Sequence, residues 1–186
     1  FHARDMRDTT VEQFMKRYHI DAAQARRVES LALSLLRQFS GDLQAEPGYP
    51  LHLLSWAARL HEIGLTVAHS GYHKHSAYIL QYADMPGFSK MEQAHLSLLV
   101  LAHRGTTEKM KGQISDSLDL AMVMALRLAV LFHRSRSDVR LPPFEAHCDG
   151  RRFQLGLDAA WLAASPLTAA ALKEEVKEWR KIGVTL

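Results

Sequence analysis

Covalent bracing is the first thing this chain lacks. Cys148 is the single cysteine among 186 residues, so no internal disulfide can form. A cytoplasmic, reducing setting suits that composition. Aromatic residues make up only 8%. They show no alternation with basic residues of the kind that grips single-stranded nucleic acid, so no nucleic-acid partner is expected. The most apolar run, Ala121 to Phe132, is too short to span a bilayer and carries Arg127 inside it. No stable membrane insertion is expected, although peripheral association with a membrane surface is compatible with the sequence. Gly64, Gly71, Gly87 and Gly105 are scattered singly, so there is no glycine-rich phosphate loop. Neither sign of charge dominates. The formal net charge is +3 and the isoelectric point is about 9.1, which suits an anionic partner without requiring one. The first residue is Phe1 rather than Met, and the chain is expected to be a piece of something longer.

Helical periodicity is plentiful. The composition is 47% hydrophobic and 23% charged, ordinary for a soluble globular domain. Thr10 with Gln13, Asp21 with Gln24 and Ser89 with Glu92 have the spacing of capping boxes at helix starts. Gly41, Gly64 and Gly105 stand where helices should stop. Pro47, Gly48 and Pro50 mark the segment from Asp42 to Pro50 as a loop. A helix is expected to begin near Ser76 and another near Leu118. After Phe132 the texture changes. Asp149-Gly150 between two short alternating stretches signals a hairpin. Ser165-Pro166 opens a last helix with Leu172, Val176 and Trp179 on its apolar face, and Gly183 to Leu186 reads as an edge strand. The fold expected is mainly α: a helical bundle over residues 1–135, then a small α+β subdomain over 136–186. Trp161 and Trp179 are expected to anchor that tail.

The 11 histidines are the most conspicuous surplus. His61-Glu62 closes one helix. His69, His73 and His75 crowd the next turn, and His95 and His103 lie eight apart on a later helix. "LHEIG", then "HSAYIL", then His103-Arg104 resembles the HD-domain superfamily of metal-dependent phosphohydrolases. The departures are informative. Glu62 stands where that superfamily has aspartate, the helix "QARRVESLAL" offers no histidine, and "LRLAVLF" offers no aspartate. The expected metal complement of this chain is therefore none.

A closer resemblance covers nearly the whole chain. Trp56 to Arg104, with "LHEIG", "HSGYHKHSAYIL", "PGFS" and "HR", is similar to the C-terminal region of the exopolyphosphatase and guanosine pentaphosphate phosphohydrolase family. The resemblance implies an HD-like helical scaffold. It also implies a parent hydrolase that releases terminal phosphate from inorganic polyphosphate. The alternative is that the parent removes the 5′ phosphate of guanosine pentaphosphate. Family members do that chemistry in N-terminal actin-like ATPase-fold domains supported by Mg2+, none of which is in this chain, so no catalytic residue can be assigned here. What the resemblance lends this region is polyphosphate binding and homodimerisation.

His69, Lys74, His75, Ser76, Arg104, Lys109 and Lys111 are the candidate anion ligands. Ser76, read as a helix start, would add free N–H groups and a positive dipole end. His61, Glu62 and His103 form the candidate vestigial HD site. Each group also has a plainer reading. The cations would be solvated surface charges. His61 and His103 would be hydrogen-bonded core residues, with Glu62 paired to one of them. Two further readings stay open: an active HD-type hydrolase using His61, Glu62, His75 and His103, and a purely structural dimerisation module.

Overall fold

The computed structural model describes residues 5–43, 48–114 and 116–186. The positions read above as the chain start (Phe1) and as part of a loop (Pro47) lie outside them. Helix α1 spans Met6–Arg17 and is capped by Asp5, whose carboxylate accepts from the Arg7 amide at 2.9 Å. Thr10 is therefore not the cap. It lies inside the helix, buried, and its hydroxyl donates to the Pro86 carbonyl at 2.6 Å. Helix α2 spans Ala22–Asp42 and starts at Asp21 as its capping spacing indicates, with the Gln24 amide donating at 3.1 Å. Gly41 sits within its last turn rather than ending it.

Helix α3 runs over Gly48–Leu60, so Gly48 and Pro50 are its opening residues rather than loop. Proline fits there because the first turn has no intrahelical acceptor for its missing N–H. A 3-10 turn over Ile63–Thr66 leads to helix α4, Tyr72–Tyr82. The start expected at Ser76 is a turn too late. Gly71, at φ 64°, supplies the left-handed entry instead. Helix α5, Lys90–Ala102, carries the full Ser89/Glu92 capping box, and Gly105 follows it at φ 81°. Helix α6, Ser117–Phe132, is buried on nearly every side. It is the axle of the bundle, with α2 and α3 packed around it.

Strands β1 (Glu145–Asp149) and β2 (Arg152–Gly156) pair antiparallel, with Asp149 opposite Arg152 and Gly150 turning at φ 61°. A short helix α7, Ala159–Ala163, was not apparent in the periodicity. Helix α8 spans Pro166–Arg180, capped by Ser165. The terminal stretch makes a single parallel bridge, Arg152 to Thr185, rather than a strand. The mainly α architecture with a small α+β C-terminal part is thus as the sequence indicates.

The hairpin lies on α2, where Phe39 and Phe153 meet edge to face at 5.1 Å. The Cys148 amide there donates to Asp42 at 2.9 Å. Burial pushes the Cys148 thiol up to about 11, so it behaves as a core residue rather than a nucleophile. Trp179 is completely buried, and Trp161 packs 6.0 Å from Phe132. A side chain such as Trp179 contributes about 2–3 kcal/mol by leaving water, enough to hold a short tail in place. Among the described residues, no helix is long and apolar enough to cross a membrane.

Candidate functional site

"LHEIG" and "HSAYIL" meet because Gly64 has no side chain. A Cβ at Gly64 would lie 2.3 Å from the Tyr72 carbonyl and 2.5 Å from the Ser76 amide, well inside contact distance. The Ser76 hydroxyl locks the approach. It accepts from the Gly64 amide at 2.7 Å and donates to the His61 carbonyl at 2.9 Å. Ser76 is fully buried. It is a latch between α3 and α4 and offers nothing to an anion, which corrects its place among the candidate ligands.

The latch sets three imidazoles in a row. His61 and His103 have ring centroids 5.1 Å apart, and His73 lies 6.4 Å beyond His103. His61 Nδ1 bonds the Ala58 carbonyl at 2.5 Å, and His103 Nδ1 bonds the Val100 carbonyl. His103 Nε2 meets the Tyr72 hydroxyl at 3.2 Å. Burial lowers the pKa of all three: His61, His103 well below its ordinary value, and His73 to about 4. They are neutral imidazoles at pH 7, because the hydration a charge would lose there outweighs what it would gain, even for His61 with the Glu62 carboxylate nearby.

Glu62 does not pair with either histidine. Its two oxygens accept from Arg136 at 2.6 and 3.2 Å. Arg136 also reaches Asp21 at 3.2 Å, and it holds a left-handed φ of 57° that a non-glycine residue adopts only when its surroundings insist. Among the described residues, no group of three or more His, Cys, Asp or Glu side chains is arranged to hold a metal ion. The donor set of an HD centre does not fit here. One carboxylate is taken by arginine, and one imidazole nitrogen is taken by tyrosine.

What surrounds this row is a cavity of about 530 Å³. It is lined by His61, Glu62, His69, Tyr72 and His103, and by Arg104, Arg127, Arg134, Arg136 and Glu175. Four guanidiniums thus face two carboxylates. Arg127 is buried and fully engaged. It donates to the Ala102 and Gly105 carbonyls at 3.0 Å each, and to both oxygens of Glu175 at 3.1 and 2.7 Å. Arg104 stacks 4.6 Å over the Tyr72 ring. Its Nη1 is buried and, among the described residues, has no hydrogen-bond partner. A buried guanidinium N–H without an acceptor is costly, and the rest of the half-exposed Arg104 side chain lines the cavity as a cation that suits an anion.

The structure therefore brings together His61, Glu62, His69, His103 and Arg104. Lys74, His75, Lys109 and Lys111 do not line the cavity. Lys74 and Lys111 point into solvent. The Lys109 ammonium is half-buried and donates to the Arg104 carbonyl, and burial pushes it down to about 8. Arg127, Arg134, Arg136, Tyr72 and Glu175 escaped the sequence reading. One signal was available: an arginine inside an apolar helix must find an acceptor, and "RSR" directly after that helix places two more cations at its end.

Comparison with known proteins adds a second line. The family model described as "Ppx/GppA phosphatase, domain III" matches residues 6–176. The guanosine-5′-triphosphate,3′-diphosphate pyrophosphatase of Pseudoalteromonas translucida (strain TAC 125) is 38% identical over 190 residues, covering 98% of this chain and 37% of that protein. The protein of the same name in Vibrio cholerae serotype O1 is 35% identical over 181 residues, covering 96% of this chain and 36% of its own length. The one in Vibrio parahaemolyticus serotype O3:K6 is 36% identical over 182 residues, with the same coverage. The chain thus spans little more than a third of the length of these relatives.

Proposed function

The chain belongs to the Ppx/GppA phosphatase family, and on that premise we propose that it serves a hydrolase acting on guanosine 5′-triphosphate 3′-diphosphate. In this reading the domain binds phosphate groups and the bond-breaking step takes place outside it. The observation that carries the choice of substrate is the match over 98% of the chain to a relative of that name. It favours the guanosine pentaphosphate reading over the exopolyphosphatase reading to which the motifs first point. The arginine-lined cavity supports the assignment of phosphate binding. Guanidinium forks suit phosphate oxygens, and Arg104, Arg127, Arg134 and Arg136 all line it. The reading of this cavity as an HD-type metal centre is not favoured, because the ligands are already engaged with Arg136 and Tyr72. Mg2+ belongs, in this proposal, to the catalytic part outside the chain, and self-association is the second role proposed for the domain.

The test is phosphate release by the intact protein from guanosine pentaphosphate and from long-chain polyphosphate, each with Mg2+. The expected result is a kcat/KM several-fold higher for the nucleotide. In Arg104→Ala, KM should rise while kcat is largely kept, as for the loss of uniform binding. A clear preference for polyphosphate would restore the exopolyphosphatase reading. Unchanged KM in Arg104→Ala would remove the cavity from substrate binding and leave a structural module.

A further inference from the structure

Glu175 is the feature of the cavity that the binding reading leaves unexplained. It comes from α8, and its carboxylate lies on Arg127 in a two-pronged arrangement, Nε to Oε2 at 3.1 Å and Nη2 to Oε1 at 2.7 Å. That is the geometry in which an arginine holds two phosphate oxygens. Glu175 also stands on a border. A second cavity of about 490 Å³ lies against α8, and Arg104, Arg127, Arg134 and Glu175 line both. The carboxylate is thus an anion already bound beside Arg104, Arg127 and Arg134, where the basic first cavity meets a second that Glu174 and Glu178 also line.

We propose that Glu175 is a placeholder anion that makes this site selective for ligands bearing two or more linked phosphates. The proposal rests on the reading of the cavity as a phosphate site. To sit on Arg127, a ligand must displace Glu175 and give up one charge-assisted pair for another. A single phosphate gains little by that exchange. A di- or triphosphate can make the exchange while its other phosphates reach Arg104 and the exposed Arg134, which line both cavities. Such a ligand compensates for the displaced carboxylate, whereas orthophosphate does not. The displaced carboxylate has somewhere to go, since Glu175 also lines the second cavity. Its side chain needs only a rotamer change, because α8 itself stays anchored by Trp179 and by the Thr107 hydroxyl donating to the Glu178 carbonyl at 2.6 Å.

Glu175→Gln tests this. The amide keeps the shape and can still accept from Trp179 Nε1, which now donates to Glu175 at 2.9 Å. Orthophosphate, pyrophosphate and tripolyphosphate are titrated calorimetrically at low salt into the intact protein, the variant, and a Glu145→Gln control on the exposed face of β1. The unsubstituted protein should bind tripolyphosphate at least tenfold more tightly than orthophosphate. In Glu175→Gln, orthophosphate binding should tighten on the order of tenfold and the gap should close; Glu145→Gln should change neither. Matched near-ultraviolet dichroism of the two variants confirms that Trp179 keeps its surroundings. Should tripolyphosphate bind the unsubstituted protein while Glu175→Gln leaves the ratio unchanged, the placeholder idea fails and the phosphate site stands. Absence of binding by every protein overturns the phosphate site itself, and the placeholder with it.

Discussion

Two cavities in this domain have the same volume, about 530 Å³ each, and little else in common. One lies between α2 and residues 139–144, walled by Leu31, Val139, Leu141, Pro142, Pro143 and Phe144. The other is the arginine-lined cavity behind His61 and His103. Both contain arginines, so charge alone does not separate them. What separates them is the state of one guanidinium in each, Arg27 in the first and Arg104 in the second. Arg27 of the first cavity donates to Gln24, to the Arg136 carbonyl and to Asp138, and has its fork filled. Arg104 of the second has a buried nitrogen with no acceptor. A basic residue suggests a ligand when the fold leaves its hydrogen bonds unmade, and cavity size says nothing on that point.

The largest effect expected from breaking this contrast is on stability. Arg127→Met would remove the buried cation of the arginine cavity and leave Glu175 and two carbonyls without their donor. Urea denaturation should show a loss of about 3 kcal/mol, the usual cost of stranding buried polar partners. The double variant Arg127→Met with Glu175→Met should recover part of that loss, since removing both partners strands less. If Arg127→Met proves as stable as the parent, the arginine cluster contributes nothing to the packing of α6 against α8, and the distinction between committed and free cations loses its footing.

Why the arginine cavity was only half legible in sequence follows from the same pairs. Features set by neighbours within one helical turn were readable. Asp21 caps Gln24, Ser89 and Glu92 close a capping box, and Asp149-Gly150 turns a hairpin. Where two short-range signals competed, the earlier residue prevailed. Asp5 caps α1 ahead of Thr10, and Gly71 starts α4 ahead of Ser76. The junction between α3 and α4 was visible because its words encode packing: glycine at 64, where no Cβ fits, and serine at 76 to bond it. The ion pairs were not visible. Glu62 with Arg136 spans 74 positions and Arg127 with Glu175 spans 48. No periodicity carries information over such separations. Sequence reasoning therefore reached His61, His69, His103 and Arg104 of the cavity lining, and missed Arg127, Arg134 and Arg136.

A smaller effect should appear in acid. His73 lies behind the arginine cavity and His133 lines the other, and burial lowers the pKa of both. His73 is held at about 4, whereas in the unfolded chain it titrates near 6.5. Between those values the unfolded state binds a proton that the folded state refuses, so stability is complete above pH 6.5 and declines as pH falls toward 4. Discounted for solvent screening, the contribution of His73 is on the order of 1 kcal/mol. His73→Gln should therefore flatten the acid limb of a stability-against-pH curve more than His133→Gln does. Equal slopes would mean that the two cavities present the same electrostatic surroundings to a histidine.

The smallest effect is the sharpest test of the comparison. Arg26 lines the apolar cavity, carries a full charge and faces solvent. It lies on α2 one residue before the fully engaged Arg27. If net charge drew phosphate to this domain, removing any exposed arginine would weaken binding, and the loss would grow as salt is lowered. If the placing of Arg104 between the two cavities is what matters, Arg26→Gln should change the affinity for tripolyphosphate by less than twofold at any ionic strength, while Arg104→Gln lowers it on the order of tenfold or more. The two substitutions remove the same charge from the same chain. Comparable losses would show that phosphate reads the mean field of the surface, and that the difference between the two cavities is one of shape alone.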